Sequence, residues 1–139
     1  LSGDFDMAAR AFQGGILDMD YVVELDKLET YSPPLHDDTV NRRLVPAALG
    51  AGIEVVHGTL QPGGTAQRHK HRTEWQVIIL QEGEAMLEIG DQPAQPLTAG
   101  AVVRIPPDTP HAFLVTGQTA AKVIVIYSPP LGPDGFIPA

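Results

Sequence analysis

From residue 53 to residue 127 the chain is cut into strand-length pieces at nearly even intervals by glycine and proline, and this punctuation limits the fold more than any other feature. The breaks fall at Gln61-Pro62-Gly63-Gly64, Glu82-Gly83, Gly90-Asp91, Ala99-Gly100, Pro106-Pro107-Asp108-Thr109-Pro110 and Gly117-Gln118. Between them lie 53–60, 67–71, 75–80, 84–89, 93–98, 101–105, 111–115 and 121–127. Glycine admits backbone conformations closed to other residues and proline withdraws a hydrogen-bond donor, so these points end regular elements. The intervening pieces show no helical periodicity and no internal repeat. Short, evenly spaced strands predict an all-β sandwich or barrel.

The flanks are less regular. Met7 to Phe12 reads as one or two helical turns or as an arm on a neighbouring subunit, and 21–25 as a first strand. Ser32-Pro33-Pro34 breaks the chain before 36–45 resumes in extended style. With 139 residues the chain fits one domain, 1–139, with a barrel core at about 45–128, an N-terminal arm at 1–20 and a C-terminal strap at 129–139. The proline-rich strap is expected to be extended, either uncovered or packed on another subunit.

A net charge of -8 argues against a nucleic-acid partner, whose binding draws on clustered Lys and Arg. Arg68, Lys70 and Arg72 are the one basic cluster, and on a strand they face away from the histidines between them. The absence of cysteine excludes disulfides, thiolate nucleophiles and thiolate metal sites. No apolar run reaches the length of a bilayer span and the N-terminus lacks a signal-peptide layout, so no membrane partner and a cytoplasmic location are expected.

Histidine carries the chemistry. On a strand, His69 and His71 project from one face, close enough for both imidazoles to bind one ion. On the following strand Gln76, Ile78 and Leu80 share one face, and Trp75, Val77 and Ile79 the other. If Gln76 points inward, its amide oxygen lies beside the histidines. His57 shares a face with Ile53 and Val55 and is the candidate catalytic residue, a proton shuttle looking into the barrel. His36, Asp37 and Asp38, flanked by proline, read as solvated surface.

Gly63-x5-His69-x-His71-x4-Gln76-x6-Gly83 resembles the first motif of the cupin superfamily, and Gly100-x5-Pro106-x-Asp108-x2-His111 resembles the second. The resemblance implies a cupin double-stranded β-helix, or jelly-roll barrel, with a short N-terminal arm. It also implies one divalent metal ion (Zn, Ni, Mn or Fe) held by His69, His71, Gln76 and His111. The chain departs from the motifs in having Gln76 for the first-motif Glu, and Asp108 and Val115 for the second-motif Gly and Asn. An alternative keeps Gln76 as a core amide and uses Glu74 as the fourth ligand.

Three imidazoles and a carboxamide leave the charge of a divalent ion uncompensated, which favours anionic ligands and polarisation over redox chemistry. The Gln variant resembles a subset of small cupins that includes one acting on unsaturated uronates. The expectation is a metal-dependent isomerase or lyase on a small anionic or carbonyl-containing metabolite such as a sugar acid, with His57, Glu84 or another inward residue supplying acid–base chemistry. The rivals are an Fe(II)-dependent dioxygenase and a non-enzymatic ligand-sensing barrel. The outward face of Trp75, Val77 and Ile79 points to a homodimer.

Overall fold

The computed structural model describes residues 19–132 and 134–139, and the expected helical turn at Met7 to Phe12 lies outside them. The described strands are β1 (His36–Val45), β2 (Glu54–Lys70), β3 (Trp75–Glu82), β4 (Glu84–Ile89), β5 (Gln95–Thr98), β6 (Val102–Ile105), β7 (His111–Val115), β8 (Ala121–Ser128) and β9 (Ile137–Pro138). They form one antiparallel sheet in the order β5-β4-β7-β2-β8-β3-β6, with β1 and β9 also pairing with β2. No described helix is long and apolar enough to cross a membrane.

The long strand β2 makes the curl. Its first part, Glu54 to Leu60, pairs with β8, and its last part pairs with β7. It therefore belongs to both halves of the sheet and brings their inner faces together. The expected turn at Gln61 to Gly64 does not end a strand, because these residues are absorbed within β2. Between the pairs Asp37↔Thr65 and Thr39↔Leu60, β2 advances further than β1, which is a bulge. A bulge bends and twists its strand, and this one carries β2 from one half of the sheet to the other.

Residues 21–25 form no strand. Leu25–Lys27 make a 3-10 turn, and Val22 is 84% exposed. The adjacent β1 edge is met instead at Asn41, which exchanges backbone hydrogen bonds with Tyr31 (2.9 and 2.8 Å). An apolar run needs both a vacant edge and a face to cover before it becomes a strand.

The core follows the alternation read from the sequence. Gln76, Ile78 and Leu80 are buried, while Trp75 is 50% exposed. Leu80, Leu87 and Ile105 are among the largest fully buried side chains, and each contributes about 1.5–3 kcal/mol by leaving water. Toward one end this apolar interior gives way to buried histidine.

Part of the C-terminal strap packs on its own barrel, while Pro129, Gly132, Asp134, Pro138 and Ala139 are exposed. The backbone ties it down: the Leu131 N–H donates to the Glu54 carboxylate at 3.1 Å, β9 pairs with His69 and Lys70, and the Ala139 N–H donates to the Arg68 carbonyl at 3.2 Å. The β2 edge beside the histidines offers backbone partners, and β9 occupies it.

Candidate metal centre

His69 lies near the end of β2, His71 just beyond it, and His111 opens β7 directly opposite His69. The ring centroids of His69 and His111 are 4.4 Å apart, those of His69 and His71 5.0 Å, and those of His71 and His111 5.3 Å. All three residues are 2% exposed.

Each ring is held through Nδ1 by a backbone carbonyl: Gln67 for His69 (2.6 Å), Gly135 for His71 (2.7 Å) and Thr109 for His111 (2.9 Å). A carbonyl only accepts, so Nδ1 carries the proton and Nε2 presents a lone pair. Two of these carbonyls lie two residues before their histidine, so the local turn fixes the tautomer. The third comes from the strap.

The Nε2 atoms of His69, His71 and His111 are buried and have no hydrogen-bond partner among the described residues, and neither does Oε1 of Gln76. An orphaned buried acceptor costs about 1–3 kcal/mol. Four in one place form a donor set that a cation satisfies. One ligand atom from each histidine lies within 4.8 Å of the others, and small ring rotations bring such a span to metal–nitrogen bonds of about 2.1 Å. The residues fit a divalent ion.

Burial dominates the electrostatics. It pushes the His69 imidazolium down to about 3, with neighbouring His111 adding to the effect, and pushes His111 down to about 4 against the Thr109 carbonyl. His71 is lowered by burial too, opposed chiefly by the Gly135 carbonyl. All three rings are therefore neutral near pH 7, as metal ligands must be.

Gln76 supplies the amide. It is 5% exposed, and its Nε2 donates to Tyr127 Oη at 3.5 Å. That bond turns Oε1 toward the acceptor role. Glu74, the alternative ligand, accepts from Thr73 Oγ1; like His71 it is not among the residues that line the cavity of His69, Gln76 and His111, and its charge reaches His71.

Two sequence-based acid–base assignments are corrected. His57 pairs with Ile124 on β8, on the face opposite Val56 and Leu60, and its charged neighbours are Lys122, Arg42 and Glu82. It looks away from the site, because strand alternation places the buried Val56 and Leu60 inward. Glu84 is exposed at the start of β4.

His36, read from sequence as solvated surface, lines the cavity with His69 and His111. Its ring centroid is 5.7 Å from that of His69, and Nδ1 donates to the Pro34 carbonyl at 2.6 Å. Burial lowers its pKa as well. The neighbouring Asp37 is structural, accepting from Thr65 Oγ1 at 3.1 Å. His36 was legible only through the pairing His36↔Ala66, which draws the start of β1 over the histidine end of β2.

Phe136 was missed entirely. Its ring lies 5.2 Å from that of His71 and 5.3 Å from that of His69. No signal within the strap pointed inward.

No curated protein matches the chain in sequence. Solved structures share its fold at low identity. A predicted oxalate decarboxylase from Thermotoga maritima is 20% identical, with 77% of this chain and 97% of that one covered and a TM-score of 0.69. KdgF from a Halomonas species is 15% identical, with 80% and 94% covered and a TM-score of 0.67. A sugar phosphate isomerase of the cupin superfamily from Silicibacter pomeroyi is 23% identical, with 77% and 74% covered and a TM-score of 0.65. Residues 56–127, more than half of the sequence, match the cupin domain family. A cupin match over the whole interior, on a curled antiparallel sheet with three histidines converging inside it, makes this chain a member of the cupin family.

Proposed function

We propose that this cupin is a metal-dependent enzyme of isomerase or lyase type, acting on a small anionic or carbonyl-containing metabolite such as a sugar acid. The observation that carries the proposal is the set of four buried, unpartnered acceptors, all neutral: Nε2 of His69, His71 and His111, and Oε1 of Gln76. Together these residues would hold one divalent ion. When bound there, the ion supplies Lewis acidity, and a site without a protein carboxylate favours a negatively charged substrate oxygen.

The chain's own groups divide the remaining work. Tyr127 is buried and its pKa is raised by burial, so its phenol keeps the proton and orients Gln76. His36 holds its Nδ1 proton on the Pro34 carbonyl and leaves Nε2 to accept a proton from substrate. Leu60, Leu87 and Phe113 line the same cavity and keep bulk water out. Three solved structures of this fold carry the names of a decarboxylase, KdgF and a sugar phosphate isomerase. At such identity they support the fold and leave the reaction open.

The test is metal analysis of the purified protein beside His69→Ala and Gln76→Ala, followed by assays on unsaturated uronates, sugar acids and keto acids in anaerobic buffer. We expect close to one equivalent of metal, loss in His69→Ala, weakening in Gln76→Ala, and turnover that stops on chelation and does not need oxygen. Turnover only with iron and oxygen uptake would replace this reading with a dioxygenase. Ligand-induced stabilisation without turnover would replace it with a binding protein.

A further inference from the structure

Two cavities adjoin each other through shared lining residues. The inner one, about 50 Å3, contains His69, Gln76 and His111 and has room for an ion and a few water-sized atoms. The outer one is about 420 Å3 and is lined by Tyr31, Arg43, Glu54 and Leu131, among others. The chambers share three wall residues: Asn41, Tyr127 and Phe136. A metabolite that rests in the outer chamber meets this wall between itself and the histidines.

Two of the three wall residues are fixed by the sheet. Tyr127 lies in β8 with β2 on one side and β3 on the other. Asn41 lies in β1, bonded in both directions to the Tyr31 backbone. Phe136 stands instead on the strap, between Gly135 and the two-residue strand β9. It is half-buried, with its ring against His36, His69 and His71. The approach to it is tight: a Cβ on Gly135 would lie 2.5 Å from Leu131 Cδ2, which would have to move, and 3.1 Å from the Gly132 carbonyl oxygen.

We infer that Phe136 is a specificity-determining residue: its ring closes the passage between the chambers and sets the size of ligand that reaches the ion. The inference rests on the metal-dependent reading above. It makes the strap part of the site, with Gly135 holding His71 through its carbonyl and the next residue screening the ion from the outer chamber.

The experiment uses full-length protein loaded with Co(II), whose visible absorption reports what binds the ion. The probes are azide, which fits the inner chamber, and benzoate, which does not. Phe136→Ala is expected to strengthen benzoate binding by about tenfold or more and to leave azide within about twofold. Phe136→Leu, which keeps an apolar side chain on the strap, is expected to fall between Phe136→Ala and the wild type.

Equal shifts for both probes, or no shift for either, would overturn the inference. So would a changed cobalt spectrum of Phe136→Ala before any probe is added, because the ring would then shape the ligand set rather than access to it. A wild type that takes up neither cobalt nor zinc fails at a separate step, and there the metal reading itself falls and this inference falls with it.

Discussion

His69 and His111 stand directly opposite each other on β2 and β7, with ring centroids 4.4 Å apart and each Nδ1 held by a carbonyl two residues earlier in the chain. Two imidazoles so placed and so buried cannot both carry charge, and their Nε2 atoms have nothing to accept from among the described residues. An ion resolves both problems. Chelator-treated protein should therefore gain stability when Zn2+ is added, by about 2.7 kcal/mol at a hundredfold excess over Kd. His111→Ala should lose most of that gain. Denaturant titrations with and without Zn2+ check it, and an undiminished gain in the variant would place the ion elsewhere.

Gln76 is the chemically distinctive member of the proposed donor set because it brings no charge. Gln76→Glu should tighten divalent-metal binding, since a carboxylate offsets part of the ion's charge. The same change should destabilise the metal-free protein by a few kcal/mol near neutral pH, because a carboxylate would be buried beside Tyr127 without a cation. Chelator competition measures the first effect and unfolding of the metal-free protein the second. The opposite signs are the content of the prediction: if both effects had the same sign, Gln76 would not be facing the ion.

The barrel was legible because glycine and proline mark almost every strand end. The segments 84–89 and 111–115 coincide with β4 and β7. His69, His71 and Gln76 were legible because period-two alternation gives a strand residue only two directions. What alternation cannot supply is which direction faces the core, and that is why His57 was placed on the wrong face. His36 and Phe136 were obscured for a different reason: each lies two residues from a proline, Pro34 and Pro138, in a segment without periodicity, and only tertiary pairing with β2 brings them to the site.

The depressed pKa values give the metal-free protein a definite pH dependence. His69 and His111 have folded-state values of about 3 and about 4, well below the ordinary 6.5. Between these limits the unfolded chain takes up protons that the folded protein refuses. Stability is therefore complete above about pH 6.5 and falls as pH drops toward 4, by up to about 1.4 kcal/mol per pH unit for each ring. Urea unfolding of chelator-treated protein at pH 7.5, 6 and 5 should show the decline. A flat profile would mean that the rings take protons within the fold.

His57 provides the negative control. It is nearly as buried as the three clustered histidines but on the other face of β2, beside Ile124. His57→Ala should leave metal stoichiometry unchanged and metal affinity within about twofold, at a stability cost of about 1–2 kcal/mol from lost packing. Turnover, once a substrate is known, should survive it. Metal analysis and chelator competition suffice, and loss of the ion in this variant would overturn the assignment of faces.

Gly58 links packing to the shape of the site. It lies on the inner face of β2 opposite Asn41, and a Cβ there would come within 2.8 Å of Asn41 Oδ1 and 3.0 Å of Val123 Cγ2. Asn41 walls both chambers, so even one added methyl must displace a residue that shapes the passage. Gly58→Ala should cost about 1–3 kcal/mol, the usual range for overpacking, while leaving the histidines and their ion in place. Reduced thermal stability at full metal content is the expected result. Unchanged stability would show that Asn41 yields without cost and that the wall between the chambers is softer at this point than its strand pairing implies.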